Sequence, residues 1–199
     1  MNPASPGRNF TPMKSVKSRI LAVVVVVAVT VGLDQWTKYL ATVHLQGEPD
    51  QFYLGGILRL THVHNTGAFL SIGSGLNDFW RPILLNLFPA LLLLALLFYI
   101  FREKLLNAWQ VIALSLIVGG GLSNIVDRLL YGHVVDMLHL KAFGLQTGIF
   151  NVADMAIMAG MFIMLPFALR PERKPEPEAE VHPSPTFRAE PRDEETSVR

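Results

Sequence analysis

The feature that most limits this chain is the clustering of its apolar residues into long blocks, with charges displaced to the ends and the connections. A helix that crosses a bilayer needs about 20 predominantly apolar residues. Four blocks approach that length, at 20–40, 83–101, 108–126 and 150–169, so the chain reads as an all-α membrane protein with four transmembrane helices. Composition adds little, because 51% hydrophobic residues in 199 is a fraction that soluble domains also reach. A net charge of +1, with no basic patch interleaved with aromatics, argues against nucleic acid as a partner. Cysteine is absent, which excludes disulfides, thiol catalysis, Cys-ligated metals and a lipidated cysteine on this chain.

The blocks divide the chain into three parts. Residues 1–19 are polar, carry Arg8, Lys14, Lys17 and Arg19, and read as a short basic arm. A basic start before an apolar run also describes a signal peptide. No small-residue cleavage site closes this run, and Asp34, Gln35 and Lys38 continue it, so a retained first helix is expected. Residues 20–169 form the membrane domain. Its 41–81 connection reads as short strands or loop and is long enough to expect a function of its own. Pro89 falls inside the second span, where a membrane helix tolerates it. Gly119, Gly120 and Gly121 in the third span would let neighbouring helices approach closely. Residues 170–199 hold six prolines and many charges, predicting a disordered tail. Lysine and arginine flank the span ends at the arm, at Arg102–Lys104 and at Arg170–Lys174. The positive-inside rule then puts both termini in the cytoplasm and the two longer connections outside.

On that topology Asp34, Asp127, Asp136 and Asp154 all fall at the outer side. Ionisable groups at membrane depth are costly and are functional candidates by default. Asn151 and Asp154 share a helical face, as do Asn124, Asp127 and Arg128. Asp34 and Lys38, one turn apart, read as an intrahelical ion pair near the interface, and Asp127 as an acid neutralised by local cations such as Arg128. Asp136 and Asp154 have no cation near them in sequence. Two such acids in one low-dielectric site should share a proton, since like charges cannot both ionise cheaply there. One could then activate water while the other polarises a carbonyl. Other chemistries are less supported. His62 and His64 could share a strand face and bind a metal, but no His/Asp set at ligand spacing accompanies them, and His133 and His139 are scattered. Ser71, Ser74, Ser115 and Ser123 have no positioned base, although a Ser–Lys arrangement with Lys38 stays open.

Several motifs resemble one family. Asp34-Gln35-Trp36-Thr37-Lys38 is similar to the D-Q-x-x-K signature of the lipoprotein signal peptidases (signal peptidase II), as is Asn65-Thr66-Gly67-Ala68 to a second motif. Gly119 to Arg128 followed by Gly132-His133-Val134-Val135-Asp136 resembles the G-x-x-x-N-x-x-D-R…G-x-V-V-D block, and Phe150-Asn151-Val152-Ala153-Asp154 the F-N-x-A-D block. The likeness covers about residues 20–169 in order. Two departures stand out: Phe69-Leu70 follow Gly67-Ala68 where the family has A-F-S, and Ser123 stands where it commonly has Gly.

The resemblance implies an intramembrane aspartyl endopeptidase of bacterial inner membranes. Its substrate would be a diacylglyceryl-modified prolipoprotein, cut before the lipidated cysteine. It further implies four helices carrying a small extracytoplasmic β-cradle and a short outer lid segment, no metal or cofactor, and a monomer in contact with membrane lipid. Asp136 and Asp154 would be the catalytic pair, with Asn65, Asn124, Arg128 and Asn151 holding substrate or catalytic groups and Asp34, Lys38 and Asp127 supporting them. The rival reading is a small proton-coupled carrier, which would also keep acids at membrane depth but would more often show repeat symmetry.

Overall fold

A computed structural model of the chain describes residues 11–67, 75, 77 and 79–169. The first ten residues, most of the segment carrying Phe69, Leu70, Ser71 and Ser74, and the proline-rich tail lie outside the described residues.

Helix α1 (Val16–Leu45) begins where the Ser15 hydroxyl accepts the Ser18 amide, and it overruns the expected 20–40 span at both ends. At 30 residues it is about 45 Å long. Its early start changes the reading of Arg19, which the sequence places among exposed arm cations. The structure buries Arg19 and directs its guanidinium at the carbonyls of Met13, Ile100 and Glu103. Carbonyls at a helix C-terminus lack intrahelical donors, and a guanidinium fork can supply several at once.

The Ile100 and Glu103 carbonyls lie at the end of helix α2 (Trp80–Arg102). A π-turn over Ile83–Leu87, closed by the Phe88 amide on Ile83, immediately precedes Pro89. Proline cannot donate the next helical bond, and the wider turn is one way of accommodating that gap. Helix α3 (Ala108–Tyr131) opens on a capping box between Asn107 and Gln110 and stops at Gly132, whose φ of 76° is left-handed. It runs five residues past the expected 126, so Asp127 and Arg128 sit within its last turns and not in the following connection. Helix α4 (Val152–Ala168) is apolar but has 17 residues. By length and composition, α1, α2 and α3 are long enough to cross a membrane, and α4 is shorter.

The glycine run of α3 faces three helices. A Cβ on Gly119 would press on Thr30 of α1, one on Gly120 would overlap the Ala153 carbonyl oxygen of α4, and one on Gly121 would meet Leu93 of α2. Gly160 of α4 returns the contact, lying against the Ala113 carbonyl of α3. Without side chains here, α3 becomes the central helix of the group.

Four short antiparallel strands, β1 (Gln51–Tyr53), β2 (Leu58–Asn65), β3 (Val134–Ala142) and β4 (Leu145–Gln146), pair in sequence order. Met137 packs on Ala41 and Leu45 and seats the sheet on the end of α1. Phe150 pairs with Leu138 by bonds in both directions, at 2.9 Å each. This bridge draws the start of α4 to the side of β3.

Candidate active site

Four elements deliver the polar residues to one place. Asp34, Gln35 and Lys38 come from the C-terminal half of α1, and Ser123, Asn124, Asp127 and Arg128 from the last turns of α3. Asn65 ends β2 opposite Val134, two pairs along from Asp136 of β3. Asn151 caps α4, with Asp154 as the third residue of its capping box. All nine residues singled out from the sequence therefore meet, from segments more than a hundred residues apart in the chain.

The two acids without sequence-local cations are joined by one asparagine. Asn151 Nδ2 donates to Asp136 Oδ1 at 2.7 Å, and the Asn151 amide donates to Asp154 Oδ2 at 3.2 Å. Each acid has a second amide donor: Asn65 Nδ2 reaches Asp136 Oδ2 at 2.8 Å, and Asn124 Nδ2 reaches Asp154 Oδ1 at 2.9 Å. Neither acid is within ion-pair distance of a cation among the described residues. Burial pushes the Asp136 carboxyl up from 3.8 to about 6. The Asn65 hydrogen bond opposes the shift, and the neighbouring Asp154 charge adds to it.

The other two acids are neutralised, in a different way from the one their sequence neighbours indicate. Lys38 Nζ lies 2.5 Å from both Asp34 Oδ2 and Asp127 Oδ2. The expected Asp34–Lys38 pair exists, and Asp34 is fully buried in it. Asp127 takes its cation from α1 and not from adjacent Arg128. Arg128 turns the other way, donating to the Gly67 carbonyl at 2.8 Å and the Asn124 carbonyl at 3.2 Å. Successive helical residues point about 100° apart, so adjacency in sequence is poor grounds for pairing. Lys38 also donates to Asn124 Oδ1 at 2.9 Å, linking this neutralised group to Asp154.

The histidines gather separately. His62 and His64 pack edge to face at 4.9 Å between ring centroids, and His64 lies 3.8 Å from His133. Burial, and then the neighbouring imidazoles, lower the pKa of His62 and His64. Among the described residues no three His, Asp or Glu side chains are arranged to hold a metal ion. Ser115 donates to the Val111 carbonyl of its own helix, as serines in apolar helices commonly do.

Two cavities flank the network. One, of ≈ 420 Å³, is walled by Pro89, Gly121, Ile125, Ile157 and Met161 and ends on Asn124, Arg128 and Asp154. Its mostly apolar lining suits an apolar chain, with the acid Asp154 among its few polar members. The other, of ≈ 350 Å³, is polar and reaches Lys38 and Asp127 past His64, His133 and Tyr131.

Sequence reasoning missed the part played by Gln35 and Ser123, whose side chains bond to Asp127 and Asp34, and by the Ala153 amide, which donates to Asp34. Gln35 lies inside a quoted motif, but nothing in one sequence tells which way it points.

The sequence pattern of the family described as signal peptidase (SPase) II matches residues 26–170. The chain is 31% identical over 164 residues to a lipoprotein signal peptidase of Borrelia hermsii, covering 79% of this chain and 95% of that one. It is 32% identical to the lipoprotein signal peptidase of Enterococcus faecalis over 158 residues, covering 78% and 93%. A bacterial membrane enzyme solved by the in meso method at 2.3 Å superposes with a TM-score of 0.66 at 26% identity, over 83% of this chain and 99% of that one.

Proposed function

Because this chain belongs to the signal peptidase II family, we propose that it is an intramembrane aspartyl endopeptidase that removes signal peptides from diacylglyceryl-modified prolipoproteins, cutting before the lipidated cysteine. The observation that carries the aspartyl reading is Asn151, which bonds both cation-free carboxyls at once. In this mechanism Asp136 and Asp154 share one proton. The ionised member takes a proton from water as it attacks the scissile carbonyl, and the protonated member donates to the carbonyl oxygen. The tetrahedral intermediate collapses as a proton passes to the leaving nitrogen, which becomes the new amino terminus. Asn65, Asn124 and Asn151 orient the carboxyls, and Arg128 is placed to hold the substrate chain. Asp34, Lys38 and Asp127 support the frame.

The ≈ 420 Å³ apolar cavity supports a lipid-borne substrate, since it brings an acyl chain or apolar signal helix up to Asp154 from the side of the helices. The membrane topology proposed with it has four spans, the short α4 completing its crossing through flanking residues. Both termini lie in the cytoplasm and the dyad toward the outer face of a bacterial inner membrane.

The test is cleavage of a purified, diacylglyceryl-modified precursor. Asp136→Asn and Asp154→Asn should each abolish product while the protein still inserts. Full activity in either variant sinks the dyad. A wild type that never cleaves but moves protons would favour the carrier reading.

A further inference from the structure

We propose that Ser123 is a positioning residue, whose hydroxyl locks the Asp34 carboxylate onto the first turn of α4 and so holds Asp154 in register with Asp136. The inference rests on the peptidase reading and adds a residue to it.

Ser123 is fully buried. Its Oγ accepts from Gln35 Nε2 at 3.0 Å and donates to Asp34 Oδ2 at 2.7 Å. The direction follows from chemistry: an amide NH₂ can only donate and a carboxylate can only accept, so the one hydroxyl proton must lie toward Asp34. Gln35 also donates to Asp127 Oδ1 at 2.7 Å, and Lys38 joins Asp127 back to Asp34. Five side chains from α1 and α3 thus form a closed ring. One ammonium faces two buried carboxylates in it, and Ser123 and Gln35 supply the neutral donors that help satisfy the surplus negative charge.

The ring leaves one Asp34 oxygen for another helix. Asp34 Oδ1 accepts the Ala153 amide at 2.8 Å, within the first turn of α4 and one residue before Asp154. A carboxylate is favoured there, because the first amides of a helix have no intrahelical acceptor. Remove the Ser123 hydroxyl, and Asp34 Oδ2 is held by Lys38 alone, while Lys38 must also serve Asp127. Asp34 can then rotate off Ala153, and the α4 turn that carries Asp154 loses its tether to α1.

The experiment compares wild type with Ser123→Ala and Ser123→Cys on the lipid-modified precursor, and measures hydrogen exchange along α4. We expect kcat of the Ala variant to fall about tenfold or more with KM little changed, because misplacing a reacting group affects the chemical step. The Cys variant, a weak donor of similar size, should recover part of the loss. Exchange should rise at residues 152–155 and not at 157–165. Wild-type kcat in Ser123→Ala, or an exchange increase spread evenly along α4, would overturn the lock. If wild type itself does not cleave, the peptidase reading has failed; the exchange pattern still decides whether Ser123 tethers α4.

Discussion

Among single residues, what separates the four acids of the cluster is how each is compensated. Asp34 and Asp127 divide one ammonium, whereas Asp136 and Asp154 receive only amide hydrogens. An amide donor steadies a carboxylate without forcing it to stay ionised, and this suits a group that must gain and lose a proton. For Asp136 the consequence can be measured. A carboxyl raised from 3.8 to about 6 keeps its proton in the fold at a pH where the unfolded chain has lost it. The folded state then binds more protons in that window, so stability falls as pH rises from about 4 to about 6. The difference amounts to roughly 3 kcal/mol at most. Thermal unfolding in detergent across pH 4 to 8 should show this decline in wild type and a flatter curve in Asp136→Asn. Equal slopes in the two proteins would contradict the assignment of the effect to Asp136.

Whole elements meet at the proposed active site through backbone contact. Gly120 brings α3 against the Ala153 carbonyl, and Gly160 brings α4 against Ala113, so the two helices touch without intervening side chains. That proximity places Asn124 within 2.9 Å of Asp154. Gly120→Ala puts a methyl group where a backbone oxygen lies, and the helices must part. Overpacking of this kind costs about 1–3 kcal/mol. We expect a lower melting temperature together with a large loss of cleavage. Gly121→Ala is the control, since it meets the movable end of Leu93 and should be milder in both respects. A Gly120→Ala protein as active and stable as wild type would mean that α3 and α4 have room the structure does not give them.

For the whole molecule, residues 26–170 carry the family pattern, and the described elements end with α4 at Ala168. The proline-rich remainder is mostly proline and charge, with Phe187 as its one large aromatic residue. Truncation after Arg170 should therefore leave turnover of the lipid-modified precursor unchanged. A large drop in kcat would assign the tail a part in the reaction.

Much of this architecture could be read from residue order. Apolar blocks of bilayer length have few alternatives in water or lipid, and the spacing of Asn124 with Asp127 puts that pair on one helical face. Asn151 and Asp154, read the same way, meet instead through a capping box, because Asn151 is extended at the N-cap. The lack of a local cation near Asp136 and Asp154 also followed from the sequence and agrees with the geometry. Pairing across helices did not follow. Asp127 chose Lys38, 89 positions away, over adjacent Arg128, and Arg19 left the basic arm to close the end of α2. Ser123 looked like a departure from a motif until Asp34 and Gln35 were found on either side of it. Sequence records periodicity, which determines the face of a helix a residue occupies. Only the tertiary structure rotates those faces against one another, and in a medium without water each buried charge settles on whichever partner that rotation brings within reach.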